Sequence, residues 1–107
     1  MNKPYASAEL SSTELNALTG PTVLEFGSNQ CGICRAAQPD IQAALAPHPD
    51  LRHIKVQDGS GLALGRAFGV KLWPTLVVLQ NGQEVARVVR PRSSEEVRDA
   101  LEAVVAR

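Results

Sequence analysis

Two cysteines, Cys31 and Cys34, are the only thiols in the chain, and two residues separate them. An apolar run over residues 22–26 precedes them and reads as a strand. Apolar residues at helical spacing follow: Cys34, Ala37, Ile41 and Leu45. The pair therefore sits where a strand hands over to a helix. A helix N-terminus presents unpaired N–H groups and the positive end of its dipole. A thiolate placed there is stabilised, and it is the thiolate that attacks disulfides. The second thiol, one turn on, is positioned to close a disulfide with the first. Glu25 is the one charge inside the apolar run. A buried carboxylate is costly unless paired or neutralised, so this position points to a working group. Burial alone predicts a raised pKa for it.

Two other uses of the cysteines are open. Cys31-x2-Cys34-x13-His48-x4-His53 has the spacing of a two-Cys, two-His zinc site. Against it, Pro47 and Pro49 flank His48 and break the helix that would present both histidines. The cysteines also open a helix rather than a hairpin. A purely structural disulfide across two residues closes a very small loop and stabilises little. Redox chemistry is the preferred reading. Both histidines are expected at the surface, near a turn.

The surrounding elements follow from local signals. A length of 107 residues suggests one domain, residues 1–107, with a single substantial core. Residues 5–8 suggest a short edge strand. Ser11 and Glu14 fit a capping box, with Leu10 and Leu15 as its hydrophobic staple, and Gly20-Pro21 ends that helix. The helix that opens at the cysteines extends over residues 31–46, with a kink expected at Pro39. Residues 51–56 alternate as a strand, and Leu62, Leu64, Ala67 and Phe68 suggest a short helix closed by Gly69. Residues 75–79 form a nearly continuous apolar strand after Pro74, and Asn81-Gly82 is a two-residue hairpin turn leading into residues 84–89. Ser93 or Ser94 caps a last helix with Val97, Leu101 and Val104 on one face. This order predicts an α/β fold: a central mixed sheet of four to five strands with helices on both faces.

Composition removes several function classes. Eleven basic residues balance eleven acidic ones, which gives no electrostatic case for nucleic acid or an anionic membrane. No apolar run approaches the roughly 20 residues that span a bilayer. The first residues lack the apolar core of a secretory signal, so a cytoplasmic location is expected. In a reducing compartment a lone Cys-x-x-Cys is more often catalytic or metal-binding than structural.

Taken together, Phe26, Cys31-Gly32-Ile33-Cys34, Pro39, Phe68-Gly69-Val70, Pro74-Thr75 and Asn81-Gly82 resemble the thioredoxin family over residues 10–106. The resemblance implies that fold and a thiol–disulfide oxidoreductase. It implies that Cys31 is the exposed attacking thiolate and Cys34 the buried resolving thiol. Pro74 would be the family's cis-proline, shaping a substrate groove with Trp73, Thr75, Gly32 and Ile33. Glu25 stands at the family's buried acid, usually aspartate, and Lys55 at the lysine beside it; otherwise Lys55 is a plain solvated strand residue. No bound cofactor and no metal are implied. The partners implied are disulfide-bearing proteins and a reductase or other electron donor, acting on a monomer. Four positions depart from the family pattern: Gln30 replaces tryptophan, Ile33 replaces proline, Gly27 replaces an aromatic, and the Arg90-Pro91 region replaces a glycine. They lie on the partner-docking face. A redox-sensing or partner-binding module with one dedicated partner is the alternative.

Overall fold

The computed structural model describes residues 3–6 and 11–105. Eight elements follow the predicted order: α1 (Ser12–Asn16), β1 (Pro21–Gly27), α2 (Gly32–Leu45), β2 (Arg52–Gln57), α3 (Ala63–Ala67), β3 (Thr75–Gln80), β4 (Gln83–Val89) and α4 (Ser94–Val105). The sheet has four strands in the order β2-β1-β3-β4. β1 is parallel to β2, while β3 is antiparallel to both β1 and β4. The expected fifth strand is reduced, among the described residues, to a single parallel bridge between Ala6 and Val56. Ser7, Ala8 and the staple residue Leu10 lie outside the described residues.

Side chains alternate across a strand, so β1 serves two layers. Val23 points into a core with Ile41 and Ala44 of α2 and Val97 and Leu101 of α4. Leu24 and Phe26 point the other way, into a core with Leu15 of α1 and Leu64 of α3. β3 divides likewise, Leu76 and Val78 to the first layer, Val77 and Leu79 to the second. That double coverage is why its sequence is apolar without alternation. Glu25 shares the parity of Val23 and so faces the α2 layer.

Local signals hold where they were strongest. Ser11 Oγ accepts from the Glu14 N–H, and the Glu14 carboxylate accepts from the Ser11 N–H, which completes the capping box. Asn81 and Gly82 both have positive φ, 52° and 81°, as a primed hairpin turn requires. Gly82 has a second reason to be glycine. A Cβ there would lie 2.6 Å from the carbonyl oxygen of Leu15, so the hairpin tip rests directly on α1.

Candidate active site

Cys31 is the N-cap of α2, in extended conformation, and its Sγ accepts the Cys34 N–H at 3.1 Å. The thiol thus occupies the place of a capping side chain at the positive end of a 14-residue helix. Gly32 follows with open space where a Cβ would stand. Ile33 is 47% exposed, and Cys34 is turned inward and buried. Burial first, and then the hydrogen bond and charge of Cys31, push the Cys34 thiol up to about 11. Cys31 is thus accessible, whereas Cys34 must be helped to lose its proton.

Beneath Cys34 lies a fully buried carboxylate, Glu25. The Tyr5 hydroxyl donates a short hydrogen bond to its Oε2. Gln38 Nε2 donates to the same oxygen at 2.9 Å and to the Cys34 carbonyl at 2.9 Å. His53 Nε2 lies 2.8 Å from Oε1, and Lys55 Nζ lies 4.0 Å from Oε2. Burial pushes the Glu25 pKa up, but the hydrogen bonds from His53, Tyr5 and Gln38 and the charge of Lys55 together outweigh it, and the pKa is lowered. The rise expected from burial alone is therefore corrected: this carboxylate is buried among donors rather than among hydrocarbon.

Lys55 is no plain surface residue. Its ammonium donates to Gln38 Oε1 at 2.9 Å and to the Lys3 carbonyl, and it sits 4.5 Å from the centre of the Tyr5 ring. Burial lowers its pKa, with Glu25 and Cys34 opposing. His53, expected at the surface near a turn, is instead half-buried and bound to Glu25. Among the described residues no three His, Cys, Asp or Glu side chains gather as a metal site, so the Cys-His zinc spacing does not converge.

Tyr5 enters from the N-terminal segment. Its backbone N–H donates to Asn29 Oδ1 at 2.9 Å, and Asn29 Nδ2 donates back to the Tyr5 carbonyl at 3.1 Å. Gly27 makes room for its ring: a Cβ at that position would lie 2.5 Å from Tyr5 Cζ. Burial, then Glu25, then Cys34 hold the phenol well above the ordinary tyrosine range, so it stays protonated. A cleft of about 240 Å³ opens beside Cys31, lined also by Lys3, Tyr5, Arg35 and Lys55.

Trp73, Pro74 and Thr75 lie at the start of β3 and in the loop before it. The Trp73–Pro74 bond is cis, and Pro74 and Thr75 are buried. Trp73 is half-buried, its indole N–H donating to Asp58 Oδ2 at 2.8 Å. Thr75 Oγ1 donates to the Leu72 carbonyl at 2.6 Å. Arg90 binds this loop twice: its backbone N–H donates to the Pro74 carbonyl and its Nε to the Trp73 carbonyl, each at 2.8 Å. Arg90 has φ +50°, so the position that departs from the family's glycine keeps a glycine-like backbone.

Tyr5 and Gln38 were not among the sequence candidates, and His53 was considered only as a ligand in the zinc spacing. His53 carried a usable signal: it has the parity of Lys55, and both face the α2 layer once Glu25 and Lys55 are in register. Gln38 lies one turn after Cys34 on α2. Tyr5 had no local signal.

The fold and the site define a class: a four-stranded mixed sheet with a dithiol at a helix N-terminus and a cis-proline loop before β3. Comparison with known proteins agrees. The family model described as Thioredoxin matches residues 6–103. Thioredoxin of Chlamydia pneumoniae is 33% identical over 79 residues, covering 72% of this chain and 76% of that protein. The h-type thioredoxin of Fagopyrum esculentum is 30% identical over 73 residues, covering 68% of this chain and 63% of that protein, less than two thirds of its length. The reduced structure of thioredoxin 2 from Pseudomonas aeruginosa PAO1 superposes with a TM-score of 0.88 at 47% identity, covering 99% of this chain and 98% of that one. The chain belongs to the thioredoxin family.

Proposed function

We propose that this protein is a thiol–disulfide oxidoreductase that reduces or exchanges protein disulfides through Cys31 and Cys34. The observation that carries the reading is the division of labour in the pair: an accessible thiol that accepts a helix N–H, above a buried thiol with a raised pKa. The Cys31 thiolate attacks one sulfur of the substrate disulfide. A Cys31–substrate bond forms, the substrate S–S bond breaks, and the leaving thiolate takes up a proton. Cys34 then gives up its proton and attacks Cys31 Sγ. The mixed disulfide breaks, the second substrate thiol leaves, and the protein is left with a Cys31–Cys34 disulfide, two electrons poorer. A reductase or other electron donor restores the dithiol; the chemistry needs no bound cofactor or metal.

Glu25 and Lys55 serve as the charged pair beneath the resolving thiol. Gly32, Ile33, Trp73, Pro74 and Thr75 form the face that receives substrate. Ile33 at 47% and Leu72 at 45% exposure supply an apolar rim for it. Among the described residues no helix is long and apolar enough to cross a membrane. We place the protein in a reducing compartment, the cytoplasm, as a single-domain monomer without nucleic-acid or membrane partners.

The changed docking positions favour a second reading, a module devoted to one partner. Arg90 and Ile33 add a cation and a branched side chain to that face. Turnover separates the two. With a small dithiol as reductant, the protein is expected to reduce a generic protein disulfide catalytically, and Cys31→Ser to abolish this. Stoichiometric reaction with no turnover supports the dedicated module, and no reaction at all overturns both.

A further inference from the structure

The cleft of about 240 Å³ beside Cys31 is lined by none of Trp73, Pro74 and Thr75. Its walls come from the N-terminal segment, the turn between β1 and α2, the first turns of α2, and Lys55 of β2. Three of the residues lining it are cations, Lys3, Arg35 and Lys55, and none is acidic. Glu25, 4.0 Å from Lys55, offsets that charge, so the positive excess belongs to Lys3 and Arg35. Among the described residues neither of these two is in an ion pair. Arg35 is exposed and stands fourth in α2, a helix with no acidic residue in its first turn. The positive end of the helix dipole opposes a cation there, and nothing local offsets it. The opposite wall is held in place: Lys55 Nζ donates to the Lys3 carbonyl, and Asn29 binds the Tyr5 backbone in both directions. The volume is below the roughly 300–1,000 Å³ of drug-sized sites, so it suits one side chain or a comparably small acid rather than a folded segment.

Building on the oxidoreductase reading, we propose that this cleft binds a carboxylate carried by the half of the substrate disulfide that Cys31 captures, with Arg35 and Lys3 as its partners. The guanidinium presents a planar pair of N–H donors that matches a carboxylate, and the ammonium adds a point charge. The Cys31 thiolate attacks the sulfur of the acidic half. The Cys31–sulfur bond forms, the substrate S–S bond breaks, and the other half leaves as a thiolate that takes a proton from solvent. The acidic half stays seated until Cys34 displaces it. The favoured substrates are disulfides with a carboxylate within about one residue of the sulfur. An acidic residue beside a protein cysteine and a small free acidic thiol share that chemistry.

The test compares anionic and neutral disulfides on one protein. Reduced protein is mixed rapidly at neutral pH with 5,5′-dithiobis(2-nitrobenzoate), which carries carboxylates, or with 4,4′-dithiodipyridine, which carries none. The first thiol released is followed in each case. The ratio of the two rates cancels any change in the reactivity of Cys31 itself. Arg35→Gln and Lys3→Gln are each expected to lower that ratio by about two- to fivefold, the range of an exposed ion pair. Lys71→Gln, which removes an exposed cation lining a different cleft beside Trp73, is expected to leave it unchanged. A second arm uses two disulfide-linked peptides that differ only in Glu or Gln beside the cysteine. A preference for the Glu peptide that Arg35→Gln abolishes identifies a protein segment as the source of the carboxylate; a preference confined to the small disulfide identifies a free acidic thiol. Wild-type ratios in both cleft variants and in both arms overturn the proposal. So does an equal fall in Lys71→Gln, which would mark the general field of the protein rather than a site. Wild-type protein that turns over both kinds of disulfide without preference removes the cleft alone and leaves the oxidoreductase reading standing. Wild-type protein that turns over neither removes both.

Discussion

His53 Nε2 lies 2.8 Å from Glu25 Oε1 and joins two parallel neighbouring strands across a buried carboxylate. This contact is the first of those that pull the Glu25 pKa down against burial. A carboxyl with a lowered folded-state pKa stabilises the fold fully above its unfolded value, here 4.5, and loses that contribution as pH falls through the folded value. The wild-type protein is therefore expected to lose stability progressively below pH 4.5. His53→Ala should cost about 1–3 kcal/mol at neutral pH, because a buried charged acceptor loses a partner. It should also flatten the acid limb, since less of the depression remains. Urea unfolding from pH 3 to 7 measures both; an unchanged acid limb would show that His53 does not hold the charge.

Glu25→Gln keeps the shape but cannot take a proton. The rate of Cys31 alkylation should stay within about twofold of wild type, while resolution of a mixed disulfide should slow by about tenfold or more. Single-turnover kinetics at pH 7 read the two separately. Wild-type rates in both steps would remove Glu25 from the chemistry and leave it as a buried structural charge.

The cysteine pair, the Ser11–Glu14 cap and the Asn81-Gly82 turn were legible because each is a signal within a few residues. The element order followed from them. The environment of Glu25 was not, because the sign of its shift depends on which donors reach it. Burial is readable from the apolar run in β1, and it points upward. The donors come from β2, α2 and the N-terminal segment, and only the folded chain brings them together. His53 was within reach through strand parity, given the register of β1 and β2. Tyr5 was not, since its place depends on residues 3–6 crossing to Val56 and on the absence of a side chain at Gly27.

Arg90 offers a test of backbone against side chain in the docking loop. Its positive φ costs a non-glycine residue about 1 kcal/mol or more, while its guanidinium holds the Trp73 carbonyl. Arg90→Ala keeps the strain and loses the bond; Arg90→Gly loses both. The alanine variant is expected to be the less stable of the two by about 1 kcal/mol in chemical unfolding. The reverse order would mean that the chain relaxes out of the left-handed region when the guanidinium is removed.

Cys34→Ser should stop the reaction halfway. Serine offers no thiol to displace the substrate, so the Cys31–substrate disulfide persists. Cells expressing this variant should accumulate covalent, dithiothreitol-sensitive adducts through Cys31, visible as slower bands on non-reducing gels. Cys31→Ser should accumulate few, because Cys34 is 1% exposed and its thiol is pushed up to about 11. The number of species distinguishes the two functional readings: many bands indicate a general reductant, a single band one dedicated partner. A zinc site makes a different prediction, since either substitution would release metal and loosen the fold without adducts. Cys34→Ser protein that is folded yet carries no adducts, even after exposure to disulfide-bearing proteins, would exclude Cys31 as the attacking group and leave binding as the function of this surface.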